Sequence, residues 1–85
     1  MMHILKIKEP YADAVHNEIK TFEVRLNDRG FQAGDIVKFQ AVTNEAIPLS
    51  MTHPINDDLF VITYVHSGFG LKENYVVFGI KKYSS

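Results

Sequence analysis

Lys20, Thr21, Glu23 and Arg25 stand close together in the segment Lys20-Thr21-Phe22-Glu23-Val24-Arg25-Leu26 and carry groups that can act together. The strict alternation is that of a β-strand, so Thr21, Glu23 and Arg25 share one face, each roughly 6–7 Å from the next. Phe22, Val24 and Leu26 take the other face, which is the one expected to meet the core. A guanidinium offers a planar fork to a phosphate or a base edge. A carboxylate accepts from an exocyclic amine such as that of cytosine. An ammonium holds a phosphate, or acts as a base where it is desolvated. This constellation is therefore a candidate site for a nucleotide. The same charges also satisfy a purely structural network in which Glu23 pairs with Lys20 or Arg25.

These residues need elements to hold them. His3–Ile7 reads as a short strand. Pro10 fits the first turn of a helix, where its missing N–H costs nothing, and Glu9 suits the positive helix end. Tyr11, Val15 and Ile19, with Ala12 and Ala14, predict an apolar stripe on a helix of about two to three turns. Asn17 is placed to end it in a left-handed conformation. The motif strand follows, then turn clusters at Asn27-Asp28-Arg29-Gly30 and Ala33-Gly34-Asp35. Ile36–Val42 is a strand. Thr43–Asp58 reads mostly as loop, with a short strand near Leu49–Thr52. Leu59–His66 and Asn74–Lys82 are strands separated by the turn Ser67-Gly68-Phe69-Gly70. Val76-Val77-Phe78 is apolar on both sides, which points to a closed or nearly closed sheet. The expected architecture is α+β: a small mixed β-barrel with one main N-terminal helix, in a single domain over residues 1–85.

Other residues extend the candidate site. Asn27 and Arg29 follow the motif strand, where Arg29 brings a second guanidinium and Asp28 is equally suited to cap the turn. His3 lies on a strand that can neighbour the motif strand. Lys6, Lys8 and Lys72 can form a basic rim or stand as ordinary surface lysines. Among the aromatics suited to stacking on a base, Phe69 is flanked by glycines and is the one expected to be exposed. Gly34-Asp35 reads as a plain turn and not as a phosphate loop.

Composition narrows the function classes. The chain has 85 residues and no cysteine, so disulfides, thiolate metal sites and a thiol nucleophile are excluded. His3, His16, His53 and His66 lack ligand spacing, and neither a metal nor a cofactor is expected. Neither a membrane span nor a secretory signal is read, and the expected location is cytoplasmic. The net charge is −1, which is unlike a general nucleic-acid binder, so recognition must use a local patch. Residues 41–70 carry Glu45, Asp57 and Asp58 with no Lys or Arg, and the ligand is not expected there.

Lys20-Thr21-Phe22-Glu23-Val24-Arg25, followed by Asn27-Asp28-Arg29 and Phe31-Gln32-Ala33-Gly34-Asp35, resembles the signature of the ASCH domain family of the PUA-like superfamily. His3-x-Leu5-Lys6, Ile62-Thr63-Tyr64, Gly68-Phe69-Gly70-Leu71-Lys72 and Tyr75-Val76-Val77 extend the resemblance over almost the whole chain. It is greatest to a small branch of uncharacterised bacterial and phage proteins. It implies a PUA-like pseudobarrel with a cleft near the helix end and the motif strand, where RNA is proposed to bind. It also implies an alternative, because one branch is an amidohydrolase that deacetylates an acetylated cytidine with a Lys, a Thr and a distant Glu. Lys20 matches that lysine, but Glu23 stands where the threonine belongs, and Thr21 is not its equivalent. Glu18 replaces the glycine that usually precedes the motif lysine.

The leading expectation is a binding domain for RNA or a nucleotide-like small molecule, with Lys20, Thr21, Glu23, Arg25, Asn27, Arg29, His3, Lys6 and Phe69 as candidate contacts. A small amidohydrolase on an acylated nucleoside, with Lys20 and Glu23 as base and acid, is the alternative. A protein-interaction module that exposes the apolar loop Ala46–Ile55 is the third. Oligomeric state is left open by the sequence.

Overall fold

The structure is a computed structural model that describes residues 1–49 and 52–83. The chain runs β1 (Met2–Lys8), α1 (Glu9–His16), β2 (Phe22–Leu26), β3 (Ile36–Val42), a short 3-10 helix (Pro54–Asp57), β4 (Leu59–Ser67) and β5 (Tyr75–Lys82). The strands form one sheet in the order β1-β3-β4-β5-β2. β1 pairs in parallel with β3 and the other neighbours are antiparallel. The result is an α+β domain with one α-helix and a curled, five-stranded mixed sheet, a half-barrel whose two edge strands are β1 and β2.

The concave face holds the core. Leu5, Ile7, Val37, Phe39, Phe60, Ile62, Val76, Phe78 and Ile80 point inward from the strands, and Ala12 and Val15 cover them from α1. Each such large side chain contributes on the order of 1.5–3 kcal/mol when fully buried. Phe39 meets Phe60 edge-on at 5.5 Å, and Phe31 from the loop after β2 stacks at 4.8 Å on Phe78.

Three expectations change. The buried stripe of α1 is Ala12 and Val15, whereas Tyr11 and Ile19 are exposed. The helix ends at His16, three residues before Ile19, which therefore cannot align with Val15, and the left-handed residue that ends it is Glu18 (φ 60°), not Asn17 (φ −84°). With Glu18 left-handed, the amides of Ile19 and Lys20 both return to the Ala14 carbonyl and turn the chain into β2.

The second change concerns β2. Its alternation is as read, but its faces are exchanged: Glu23 is buried and Arg25 half-buried on the concave side, while Phe22, Val24 and Leu26 lie on the convex side, each close to half exposed. Periodicity fixes which residues share a face but not which face meets the core. Here the inner face at the sheet edge is occupied by charges that neutralise one another.

The third change lies in Thr43–Asp58. Ile55 is fully buried at the 3-10 helix, and Asn56 anchors that turn by accepting from the Ala41 amide at 2.9 Å, so the apolar loop is not exposed throughout: Ala46, Ile47 and Pro48 are open to solvent and Ile55 belongs to the core. Pro48 makes an isolated bridge to Val42. Residues 50 and 51 of the short strand expected near Leu49–Thr52 lie outside the described residues.

Candidate functional site

The half-barrel does not close by backbone pairing. Between the edges of β1 and β2 the bridging groups are arginines: Arg25 Nη2 donates to the Lys6 carbonyl at 2.7 Å, and Arg29 Nη1 donates to the Ile4 carbonyl at 3.3 Å. Ile4 and Lys6 are alternate residues of β1, so their carbonyls face the open edge, where strand geometry leaves them unpaired. The guanidiniums satisfy them and hold the seam apart at side-chain length.

A cleft of about 470 Å³ opens along this seam, lined by Lys6, Lys8, Tyr11, Lys20, Glu23 and Arg25 together with Ile7 and Val24. That volume lies in the range of small-molecule sites. β1 supplies Lys6 and Lys8, the exposed residues of its alternation. α1 supplies Tyr11, and the left-handed turn at Glu18 delivers Lys20.

Glu23 is the brace of the cleft. Its Oε1 accepts from Lys20 Nζ at 2.8 Å and its Oε2 from Arg25 Nε at 3.0 Å. Its side chain is 6% exposed, against 21% for Lys20 and 25% for Arg25. The carboxylate is therefore sealed beneath two cations whose outer sides face the cleft. Lys20 Nζ also donates to the Phe22 carbonyl at 2.7 Å and lies 4.9 Å from the Phe22 ring and 5.7 Å from that of Tyr11. Arg25 engages Nε with Glu23 and Nη2 with the Lys6 carbonyl, which leaves Nη1 as the part of its fork not used in these two bonds. Four cationic side chains line the cleft against one carboxylate, a local charge of +3 on a chain of net charge −1.

The structure brings Lys6, Lys20, Glu23 and Arg25 together and leaves the other candidates elsewhere. Thr21 is exposed and lies outside the cleft lining; its carbonyl accepts from the Ile80 amide. Asn27 caps its turn, with Oδ1 accepting from the Phe31 amide at 3.1 Å. Arg29 closes the far part of the seam and lies near Asp28 at 3.9 Å. His3 is buried, with its Nε2 2.8 Å from Asp35 Oδ2 and its ring 4.8 Å from Phe31. The His3 hydrogen bond is the largest influence holding the Asp35 carboxyl below the usual range, helped by the Gln32 amide and the N-terminal ammonium and opposed by desolvation. Phe69 is 94% exposed, in the loop that meets β2 at its Leu26 end, away from Lys20. Tyr11 was missed as a lining residue. Spacing alone could not show it, because Tyr11, Ala12 and Val15 fall within about 100° of one another on a helix.

The other histidines lie outside the cleft, and His66 Nε2 is 3.0 Å from the Phe69 carbonyl. His16 Nδ1 is 2.6 Å from Asp58 Oδ2 and His53 Nε2 is 2.6 Å from Asp13 Oδ1, so the pairs tie α1 to the 3-10 helix and the start of β4. Among the described residues no group of three or more His, Cys, Asp or Glu side chains is placed to hold a metal ion, and no helix is long and apolar enough to cross a membrane.

The seam, the brace and the cationic cleft are all built from residues 4–29, which fall within the span matched by a known family. The model of a domain of unknown function, DUF3850, matches residues 2–80. The chain belongs to the DUF3850 family. The matched span contains β1, the motif strand and all but the last residues of β5, so the whole cleft lies within the DUF3850 domain. No curated protein matches the sequence.

Proposed function

We propose that this DUF3850 domain binds a phosphate-bearing nucleotide or a short stretch of RNA in the seam cleft, in a PUA-like pseudobarrel of the ASCH type. The observation that carries the reading is the concentration of Lys6, Lys8, Lys20 and Arg25 around one buried carboxylate on an otherwise slightly acidic chain. Such a cleft focuses its field on an anion of small footprint. Arg25, already oriented by Glu23 and the Lys6 carbonyl, offers the rest of its fork to phosphate oxygens, and the two β1 lysines act as point charges. Glu23 supports the site without contacting the ligand, since its carboxylate is buried beneath Lys20 and Arg25.

Hydrolysis of an acylated nucleoside finds less support. Lys20 already donates to two protein acceptors, and the only nearby hydroxyl of the motif, that of Thr21, lies outside the cleft lining.

Titration of isotope-labelled protein with uridine and with uridine monophosphate tests the reading. The monophosphate is expected to shift the amides of residues 6–8, 11, 20 and 23–25, and uridine to shift them far less. Equal perturbation by both compounds, or perturbation confined to other surfaces, would overturn it.

A further inference from the structure

We propose that the convex face of the sheet carries a stacking slot for a nucleobase, formed by Phe22 and Tyr64 on either side of Gly79. The ligand class is then single-stranded nucleic acid, with a phosphate in the cleft and an adjoining base in the slot. The inference rests on the reading of the cleft as a phosphate site and goes beyond it by assigning the base.

Three adjacent strands build the slot. Phe22 of β2 stands opposite Gly79 of β5, and Gly79 stands opposite Tyr64 of β4. Residues directly opposite share a face, and the next row inward, Glu23–Phe78–Val65, is the concave one, so Phe22 and Tyr64 both project outward. Both are large aromatics left open to solvent, at 46% and 70% exposure. Gly79 itself brings no side chain into the gap, which is floored instead by the Thr63 side chain. Two strand spacings separate the flanking backbones by roughly 9.6 Å. Two rings enclosing a third need about 7 Å at about 3.4 Å per stacked layer, so a modest lean of the side chains closes on one planar ring.

The floor of the slot is specific. The β4–β5 register shifts between Ile62 and Tyr64, which makes Thr63 an extra residue on β4. A Cβ at position 79 would lie 2.5 Å from Thr63 Oγ1, so the Thr63 hydroxyl occupies the space over Gly79. Glycine is required there by that close approach rather than by its backbone angles. A hydroxyl that both donates and accepts suits the edge of a base.

Charge selects among the possible occupants. Lys20 Nζ, 4.9 Å from the Phe22 ring, belongs at once to the cleft and to the lip of the slot. The convex rows around the slot are Leu26–Tyr75, Val24–Val77–His66 and Lys81–Val61, which contain a lysine and a histidine and no carboxylate. A face with aromatic rings, a ring-wide gap and cations at its margin matches a base attached to a phosphate backbone better than an apolar protein surface, which would gain nothing from the glycine gap.

The test uses a fluorescent single-stranded RNA octamer of uridines and an abasic oligomer with the same phosphates, titrated into wild-type protein and the Phe22→Ala, Tyr64→Ala and Arg25→Ala variants. Both aromatic residues are exposed, so their removal leaves the fold intact. Each aromatic substitution is expected to weaken octamer binding about tenfold or more, and to leave the abasic oligomer unchanged. Arg25→Ala should weaken both. If Arg25→Ala weakens the octamer and the aromatic variants do not, the slot is overturned and the cleft reading stands. If wild-type protein binds neither oligomer, the cleft reading falls and the slot with it. If the wild-type protein sediments as a dimer that Phe22→Ala dissociates, with octamer affinity unchanged, the face is a self-association surface and the slot is overturned.

Discussion

Arg25 is shared between Glu23 and Lys6: its Nε lies 3.0 Å from the Glu23 carboxylate, and its Nη2 lies 2.7 Å from the Lys6 carbonyl. One side chain thus joins the two edges of the half-barrel and presents its remaining N–H groups to the cleft between them. The proposed binding surface and the sheet closure depend on the same guanidinium, which makes them separable only by substitutions that alter one and keep the other.

Glu23→Gln is such a substitution. It removes the charge beneath Lys20 and Arg25 and keeps the shape. A carboxylate this buried under two cations is strongly coupled to them, but both cations are partly solvated, so the expected loss of stability is about 1–3 kcal/mol and not the larger cost of a fully buried pair. The cleft becomes more positive, so phosphate affinity should hold or rise. Thermal melts and nucleotide titration of the variant check both halves; a loss of affinity with unchanged stability would make Glu23 a ligand contact instead.

Glu18 holds a left-handed conformation (φ 60°) that costs a side-chain-bearing residue about 1–2 kcal/mol. Glu18→Gly relieves that strain and gives back some of it as chain entropy, so a net stabilisation of about 0.5–1 kcal/mol is expected. The residue is exposed and outside the cleft, so binding should not change. Denaturant melts decide the sign.

Gly79→Ala drives its new methyl into the Thr63 hydroxyl and is expected to destabilise by about 1–3 kcal/mol. Thr63→Ala in the same protein should restore most of the loss, because it removes the atom in the way. A double-mutant cycle measured by denaturation reads the coupling directly.

Asp35 contributes a pH-dependent share of stability. Its folded pKa is lowered, chiefly by the His3 hydrogen bond, so its contribution is present above the ordinary carboxylate value of about 3.9 and is lost as pH falls through the lower folded value. Asp35→Asn should therefore lower the melting temperature at pH 7 and at pH 5 by similar amounts, and the difference from wild type should shrink below about pH 4. A difference that stays constant down to pH 2 would contradict the assignment.

Much of this fold was legible in the sequence because its strands are short, alternating and separated by clear turns. Ile36–Val42 has the predicted bounds, and the other strands agree to within a residue or so at each end. The motif strand was legible as a strand, but the exchange of its faces was not. Its apolar residues look like a core face by hydropathy. Only its position at the sheet edge, with the β1 carbonyls across a seam, makes the charged face the inner one. Lys6, Lys20, Glu23 and Arg25 could be gathered from spacing and motif. Tyr11 could not, because its place depends on where α1 ends, and that is set by the backbone angle of Glu18. His3 illustrates the opposite failure: it has the right residue type on the right strand, but it is buried against Phe31 and Asp35.

The measurement that bears most directly on the account is the salt dependence of single-stranded RNA binding by wild-type protein and by the Lys6→Ala/Lys8→Ala double variant. Three or four phosphate contacts predict that log K falls against log salt with a slope of about −2 to −3, and removing two lysines should make that slope shallower by about 1.4. A slope that is flat in the wild type, or that the double substitution leaves unchanged, would contradict the claim that the seam cleft is a phosphate site.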